Sequence, residues 1–145
     1  IKYNGKNKGI VNKVVRTIRE AGFQEHCVVT SMNYQFLKQI KKIAPEIRTG
    51  DIMTMTYGSI SKVSEADFFS AKYTYVDEGF VQEAHALGKE VHAWTVNYRG
   101  DVKRMMDMGV DNIITDDPVI VRKVQNQESG SPGGYLELLS YALGI

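Results

Sequence analysis

Trp94 is the residue whose type and position point most directly to ligand binding. It is the only tryptophan of the chain, and it lies in the segment VHAWTVN, whose apolar and β-branched content predicts a strand over residues 91–96. Because side chains alternate along a strand, we expect Trp94 to share one face with His92 and Val96. At the end of a strand the indole would form a flat apolar wall for the carbon skeleton of a ligand, whereas deeper in the sheet it would be a core residue.

Two other polar residues end predicted strands. Asn97 follows the strand of Trp94, where its carboxamide can either bind a ligand or shape the loop. Ser31 ends the apolar run CVVTS, and its hydroxyl can either face a site or cap the following helix. The residues alone leave both alternatives open for Asn97 and Ser31. Asn33 follows Ser31 at the start of the next predicted helix, and its side chain can cap that helix.

The acidic pair Asp116 and Asp117 suits a metal ion by residue type, but its context favours a structural role. Asp117 directly precedes Pro118, which is the pattern of an N-cap followed by proline at the first helical position. A carboxylate there also complements the helix macrodipole. The three histidines do not have the spacing of metal ligands: His26, His85 and His92. The sequence therefore predicts no metal site within this chain.

Composition restricts the class of protein. The 145 residues are 43% hydrophobic and 24% charged, which is typical of one globular domain with its own core. The net charge of +1 and the lack of a basic stripe predict no nucleic-acid partner. The single cysteine, Cys27, excludes an internal disulfide.

Short apolar segments alternate with amphipathic helical segments along the chain. The predicted strands cover residues 27–31, 47–53, 73–76, 91–96 and 112–115. The beginning of a further strand is predicted at residues 1–3, and a loop with a short helix at residues 59–70. Such alternation predicts an α/β fold of parallel βα units, about half of a (β/α)8 TIM-type barrel. Residues 1–124 would form this partial barrel, and residues 125–145 a linker with a short apolar tail.

One stretch carries a family resemblance. Residues 91–118 read VHAWTVN, then a helical segment, then GVDNIITDDP, and this resembles the closing βα units of the glycerophosphodiester phosphodiesterase family. The opening Ile-Lys-Tyr-Asn-Gly-Lys resembles the Glu-X-Lys element of that family entered one residue late, with Lys2 matching the lysine. The resemblance implies the C-terminal part of a metal-dependent barrel that hydrolyses glycerophosphodiesters to glycerol 3-phosphate and an alcohol.

The resemblance also implies roles for individual residues. Trp94 would form a wall of the active site, with Asn97 and Ser31 as further substrate contacts. Lys2 would face the phosphate and offset the negative charge that builds on the phosphoryl oxygens. By itself a lysine near a terminus would be a solvated surface residue, so its assignment rests on the resemblance.

The catalytic elements of the family are not found in these 145 residues. The family uses a His-Arg pair and a second histidine for acid/base catalysis, and a Glu-X-Asp pair with the glutamate of Glu-X-Lys to hold a divalent metal such as Ca or Mg. We therefore expect the isolated chain to be inactive and to bind no metal. The cellular compartment of the parent protein (cytoplasmic, membrane-associated or extracellular) would depend on its N-terminal part.

Half a barrel would expose two sheet edges and an apolar inner face. We expect a second copy of the chain, or the missing N-terminal half, to cover that face. One alternative from another class is a non-catalytic α/β module that binds a partner through the exposed sheet. Another is a sensor-type domain in which three acids form a phosphoacceptor site: Asp111, Asp116 and Asp117.

Overall fold

The computed structural model describes residues 1–2, 5, 8–54, 60 and 65–128, in which strands and helices alternate. The strands are β1 Val28–Ser31, β2 Arg48–Met53, β3 Phe68–Lys72, β4 Glu90–Trp94 and β5 Asn112–Ile113. The helices are α1 Ile10–Glu20, α2 Tyr34–Ile43, α3 Glu78–Ala86, α4 Arg99–Asp107 and α5 Pro118–Glu128. All neighbouring strands are parallel and follow one another in chain order, which confirms the predicted α/β class.

The helices cover one face of the sheet. Phe69, Ala71, Val91 and Ala93 point from β3 and β4 into a core that also contains side chains of α3, α4 and α5. A second cluster joins β1 to α1 and α2 through residues such as Val29. Full burial of one valine or phenylalanine side chain stabilises the fold by roughly 1.5–3 kcal/mol relative to exposure. This layer holds the strands in the register that positions their carboxyl ends.

The opposite face, which would be the inside of a barrel, carries packing of its own near the amino ends of the strands. Phe68 is 1% exposed there, and its ring stacks on His92. Gly50 lies beside Phe68 on β2, and a Cβ at this position would come within 2.2 Å of the phenyl ring. Glu90 accepts a hydrogen bond from His92 at 2.9 Å and pairs with Arg48 at 2.7 Å. Glycine at position 50 is therefore what allows Phe68 to lie flat against the inner face.

Local sequence explains where the helices begin and end. The side chain of Asn33 accepts a hydrogen bond from the Gln35 amide at 3.1 Å and caps α2, as predicted from the sequence. Gly88 follows α3 with φ of 68°, a left-handed conformation that glycine adopts without steric cost. None of the described helices has the length and apolar character that crossing a bilayer requires.

The structure corrects the sequence prediction for residues 59–76. The strand expected at residues 73–76 is wrong, because β3 is Phe68–Lys72 and Tyr73–Tyr75 forms a 3-10 turn. The tyrosines and β-branched residues of this turn imitate a strand, whereas the buried pair Phe68 and Phe69 provides the actual sheet contacts. The loop with a short helix predicted at residues 59–70 is wrong for residues 68–70, because these residues belong to β3.

The two ends of the chain were also assigned from sequence. Ile1 and Lys2 are not part of a strand, although the Ser31 hydroxyl donates to the Ile1 carbonyl at 2.9 Å, and Tyr3 lies outside the described residues. Helix α5 continues to Glu128, past the boundary predicted at residue 124. The rest of the predicted linker and tail lies outside the described residues.

Candidate functional site

A cavity of about 1030 Å³ opens at the carboxyl ends of the strands, on the face opposite the helices. Parallel α/β sheets and barrels bind their ligands at this end. One part of the wall is apolar and includes Ile52, Trp94 and Ile114. Another part carries hydroxyl groups: Thr30, Tyr34, Thr54, Ser70 and Thr95. This mixture suits a small ligand that has both a carbon skeleton and hydroxyl groups.

Trp94 is the last residue of β4 and lies in the cavity wall, and its contact with a substrate stays a prediction. Its indole Nε1 is buried and has no hydrogen-bond partner in the described part of the chain. The predicted pairing of Val96 with Trp94 on one face is wrong. Thr95 lines the cavity beside Trp94, and Val96 belongs to the core under the helices. Because β4 ends at Trp94, strand alternation ends there as well.

Asn97 lies in the loop after β4, and its carboxamide is bonded to the loop after β5. Its Nδ2 donates to Asp116 Oδ2 at 2.7 Å. Its Oδ1 accepts hydrogen bonds from the Thr115 hydroxyl at 3.1 Å and from the Asp116 amide at 3.0 Å. Of the two sequence alternatives, the geometry shows the loop-shaping one directly, while substrate contact stays a prediction.

Lys2 and Ser31 differ in their access to the cavity. Lys2 is exposed and lines the cavity beside Ile1. Ser31 is fully buried, and its hydroxyl donates to the Ile1 carbonyl and accepts from the Asn33 amide at 3.0 Å. The structure thus uses the Ser31 hydroxyl to hold the segment that carries Lys2. Contacts of either residue with a substrate stay predictions.

Comparison with known proteins identifies the family. The sequence model of the Glycerophosphoryl diester phosphodiesterase family matches residues 1–120. The chain belongs to this family. The resemblance inferred from residues 91–118 is thereby confirmed, and the match also covers the strands and helices that surround the cavity.

Individual relatives agree with this assignment. A glycerophosphodiester phosphodiesterase of Caldanaerobacter subterraneus subsp. tengcongensis is 31% identical over 113 residues, which cover 76% of this chain and 46% of that protein. A glycerophosphodiester phosphodiesterase structure from Parabacteroides distasonis superposes with a TM-score of 0.75 at 18% identity, covering 89% of this chain and 55% of that one. An Oleispira antarctica phosphodiesterase, solved in complex with the product sn-glycerol-3-phosphate, gives 0.70 at 19% identity, covering 80% of this chain and 49% of that one.

These likenesses establish the fold class as about five βα units of a TIM-type barrel. The chain spans about half the length of the relatives that it matches. The five parallel strands and their helices are therefore one part of the family architecture.

The family generally uses divalent metals, so we tested whether the residues present could hold one. In the described ranges no group of three or more His, Cys, Asp or Glu side chains is arranged to bind a metal ion. Asp117 Oδ1 accepts from the Val119 and Ile120 amides at 3.1 and 3.3 Å, which confirms its predicted role as the N-cap of α5. These residues do not fit a metal site.

The acids of the sensor-type alternative also do not come together. Asp111 lies at the amino end of β5, where its Oδ2 accepts from the Val91 amide at 2.7 Å and contacts His85 Nε2 at 2.8 Å. Asp116 and Asp117 follow the carboxyl end of the same strand. Burial would raise the pKa of Asp111, but its hydrogen bonds to Val91 and His85 outweigh burial and lower it. A phosphoacceptor cluster is therefore excluded for these three residues.

Sequence reasoning missed the hydroxyl groups of the cavity wall. Thr30 and Ser70 occupy inward positions of β1 and β3, and Ser70 lies two residues after Phe68 on the same strand. The alternation rule would have found Ser70 if β3 had been placed correctly. Lys72 was missed for the same reason; it ends β3 opposite Trp94, with its ammonium 5.8 Å from the Tyr75 ring centroid.

Proposed function

We propose that this chain is the C-terminal portion of a glycerophosphodiester phosphodiesterase that hydrolyses glycerophosphodiesters to glycerol 3-phosphate and an alcohol. The observation that carries the proposal is the family match over residues 1–120, which includes the Trp94 wall of the cavity at the strand ends. The relative solved with sn-glycerol-3-phosphate supports the same substrate class.

The cavity walls suggest how a glycerophosphodiester would lie. The Trp94 face would pack against the carbon skeleton of the glycerol or the alcohol. The hydroxyl groups of Thr30 and Ser70, which line the cavity, would exchange hydrogen bonds with glycerol hydroxyls. Lys2 would bring one positive charge to the phosphoryl oxygens, where charge grows during attack by water. These contacts bind and orient the substrate.

Proton transfer requires groups beyond these contacts. Departure of the alcohol needs a general acid, and attack by water needs a general base. In the proposed parent enzyme both would come from another part of the barrel, together with the ligands of the divalent metal, which would offset phosphoryl charge. We therefore propose that the 145-residue chain has no hydrolase activity by itself.

We further propose that the inner face requires a cover, either the N-terminal half of the barrel or a second copy of the chain. Three apolar residues of the described chain support this: Val28 is 46% exposed, Met32 63% and Ile114 41%. Met32 and Ile114 line the cavity, so a cover would also close the site to water. These exposed residues equally favour the alternative of a non-catalytic module that binds a partner through its sheet.

Complementation tests the proposal and separates it from the alternative. The chain would be assayed for release of glycerol 3-phosphate from a glycerophosphodiester, alone and after co-expression with the front half of the Caldanaerobacter relative. We expect no release by the chain alone and measurable release by the co-expressed pair. Release by the chain alone would contradict the proposed inactivity. A pair that co-purifies but releases no product would favour the binding module.

A further inference from the structure

Asn97 joins the loop after β4, which begins directly after Trp94, to the loop after β5. We propose that Asn97 is a positioning residue, which holds the segment Trp94–Val96 in place through the loop after β5 and does not itself bind the substrate. The importance of this segment for hydrolysis rests on the proposed function, whereas the positioning itself is a property of the chain.

The first argument is that the Asn97 carboxamide has little capacity left for a ligand. A carboxamide oxygen has two lone pairs, and Asn97 Oδ1 already accepts from the Thr115 hydroxyl and the Asp116 amide. Its Nδ2 donates at 2.7 Å to the carboxylate of Asp116, a charge-assisted hydrogen bond. The amide is thus bonded to two consecutive residues of one loop.

The second argument is that the bonds of Asn97 fix the carboxyl end of the segment Trp94–Val96. Strand pairing does not hold this end. Pairing between β4 and β5 ends with Ala93 opposite Ile113. Beyond that point the Val96 amide donates to the Ile114 carbonyl at 2.9 Å, and the Val96 side chain is fully buried. Trp94 and Thr95 face the cavity between this anchor and the sheet. Asn97 closes the segment with three further bonds to the same neighbouring loop.

The third argument is that the partner loop is itself anchored. The Thr115 hydroxyl accepts a hydrogen bond from the Asp117 amide at 3.0 Å, and Asp117 caps α5. The hydrogen-bond network therefore connects Asp117, at the start of α5, through Thr115 to Asn97, which directly follows the segment Trp94–Val96. These bonds are exposed to solvent, but a connected set of hydrogen bonds restricts the position of a loop more than its members do separately.

A reciprocal exchange of partners gives a specific test. In Asn97→Asp, a carboxylate would face Asp116 Oδ2 in place of the Nδ2 donor, so two like charges would meet. In the double variant Asn97→Asp with Asp116→Asn, one donor and one carboxylate are present again with their places exchanged. Asp116→Asn alone keeps an oxygen that can accept from Asn97, so we expect it to resemble the wild type.

The single tryptophan of the chain reports the position of the wall directly. We expect Asn97→Asp to shift the Trp94 emission maximum to longer wavelength and to raise its acrylamide quenching constant. The double variant should return both values to those of the wild type. Asn126→Asp, which makes the same chemical change at an exposed position of α5, should leave both values unchanged. Far-UV circular dichroism verifies folding of each variant.

The outcomes are decisive in both directions. Unchanged emission and quenching in folded Asn97→Asp would overturn the proposal. So would a double variant that keeps the perturbed emission, even if the single variant fails to fold. A failure of the proposed function is distinguished by a separate measurement: the co-expressed pair that keeps Asn97 would not hydrolyse the glycerophosphodiester. In an active pair, displacement of the wall by Asn97→Asp should lower kcat/KM by up to about 100-fold, and the double variant should recover it.

Discussion

The ring of His92 lies almost parallel to that of Phe68, with their centroids 4.0 Å apart and 17° between their planes. Both residues are on the inner face of the sheet, where a complete barrel would have strands on all sides. The amino-terminal part of this face is therefore packed by residues of the chain itself. The carboxyl end, by contrast, stays open around Trp94, so packing and the candidate site are separated along the strands.

Gly50→Ala should destabilise the chain because the new methyl group would come within 2.2 Å of the Phe68 ring. Overpacking of this kind costs about 1–3 kcal/mol. Urea denaturation followed by circular dichroism measures the loss of unfolding free energy. Gly100→Ala in α4 is the matched control, since nothing lies within 4 Å of its added Cβ, and alanine favours a helix. Equal midpoints for Gly50→Ala and the wild type would contradict the packing described for Phe68.

The pKa of Asp51 should make stability fall as pH rises. Burial raises the pKa of this carboxyl from 3.8 to about 6. Between these two values the folded state binds more protons than the unfolded state, so the free energy of unfolding decreases with increasing pH. Asp51→Asn should remove this decrease and be more stable than the wild type above pH 6. Asp107→Asn, at an exposed position of α4, serves as the control in the same pH series of urea titrations.

Asp111→Asn should destabilise the junction between α3, β4 and β5. The carboxylate accepts from the Val91 amide and contacts His85, and loss of its charge weakens both bonds by about 1–2 kcal/mol in total. Because the pKa of Asp111 is lowered in the folded state, its contribution is present above its ordinary pKa and disappears as pH falls through the folded value. The variant and the wild type should therefore converge in acid. A constant difference across the pH range would show that the charge has no role.

The oligomeric state should depend on the open inner face. Ile114→Lys places a charge on an apolar residue that is 41% exposed in the described chain and lines the cavity. If copies cover one another, light scattering behind size exclusion should give twice 16.3 kDa for the wild type and 16.3 kDa for the variant. Val119→Lys, at an exposed position of α5, is the control and should keep the mass of the wild type. A wild-type monomer would leave the N-terminal half as the proposed cover.

The sequence predicted features that depend only on neighbouring residues, such as the caps of helices. Asn33 and Asp117 were recognised as caps because capping needs only the side chain and the next two or three amides. Alternation along the strand grouped Trp94 correctly with His92 on the inner face, but the residues alone left a core position open, and it was the family resemblance that implied a place in the active-site wall.

Features that depend on distant partners were not predictable in the same way. Tyr73–Tyr75 has strand-like residues, but the register of β3 is fixed by the burial of Phe68 and Phe69 against neighbouring strands. The partners of Asn97 belong to a loop that lies about one βα unit further along the chain, and no spacing rule connects the two loops. The sequence could therefore nominate Asn97 for a role but not choose between ligand contact and loop shape.

The most direct test of the account compares two aromatic residues in the co-expressed barrel. Trp94 lines the cavity, whereas Tyr98, four residues later, is 72% exposed and lies outside the cavity lining. The measurement is kcat/KM for release of glycerol 3-phosphate by Trp94→Ala and by Tyr98→Ala. We predict a loss of at least about tenfold for Trp94→Ala, because a displaced substrate loses its reactive geometry, and little change for Tyr98→Ala. Equal activities of Trp94→Ala and the wild type would contradict the assignment of this cavity as the active site.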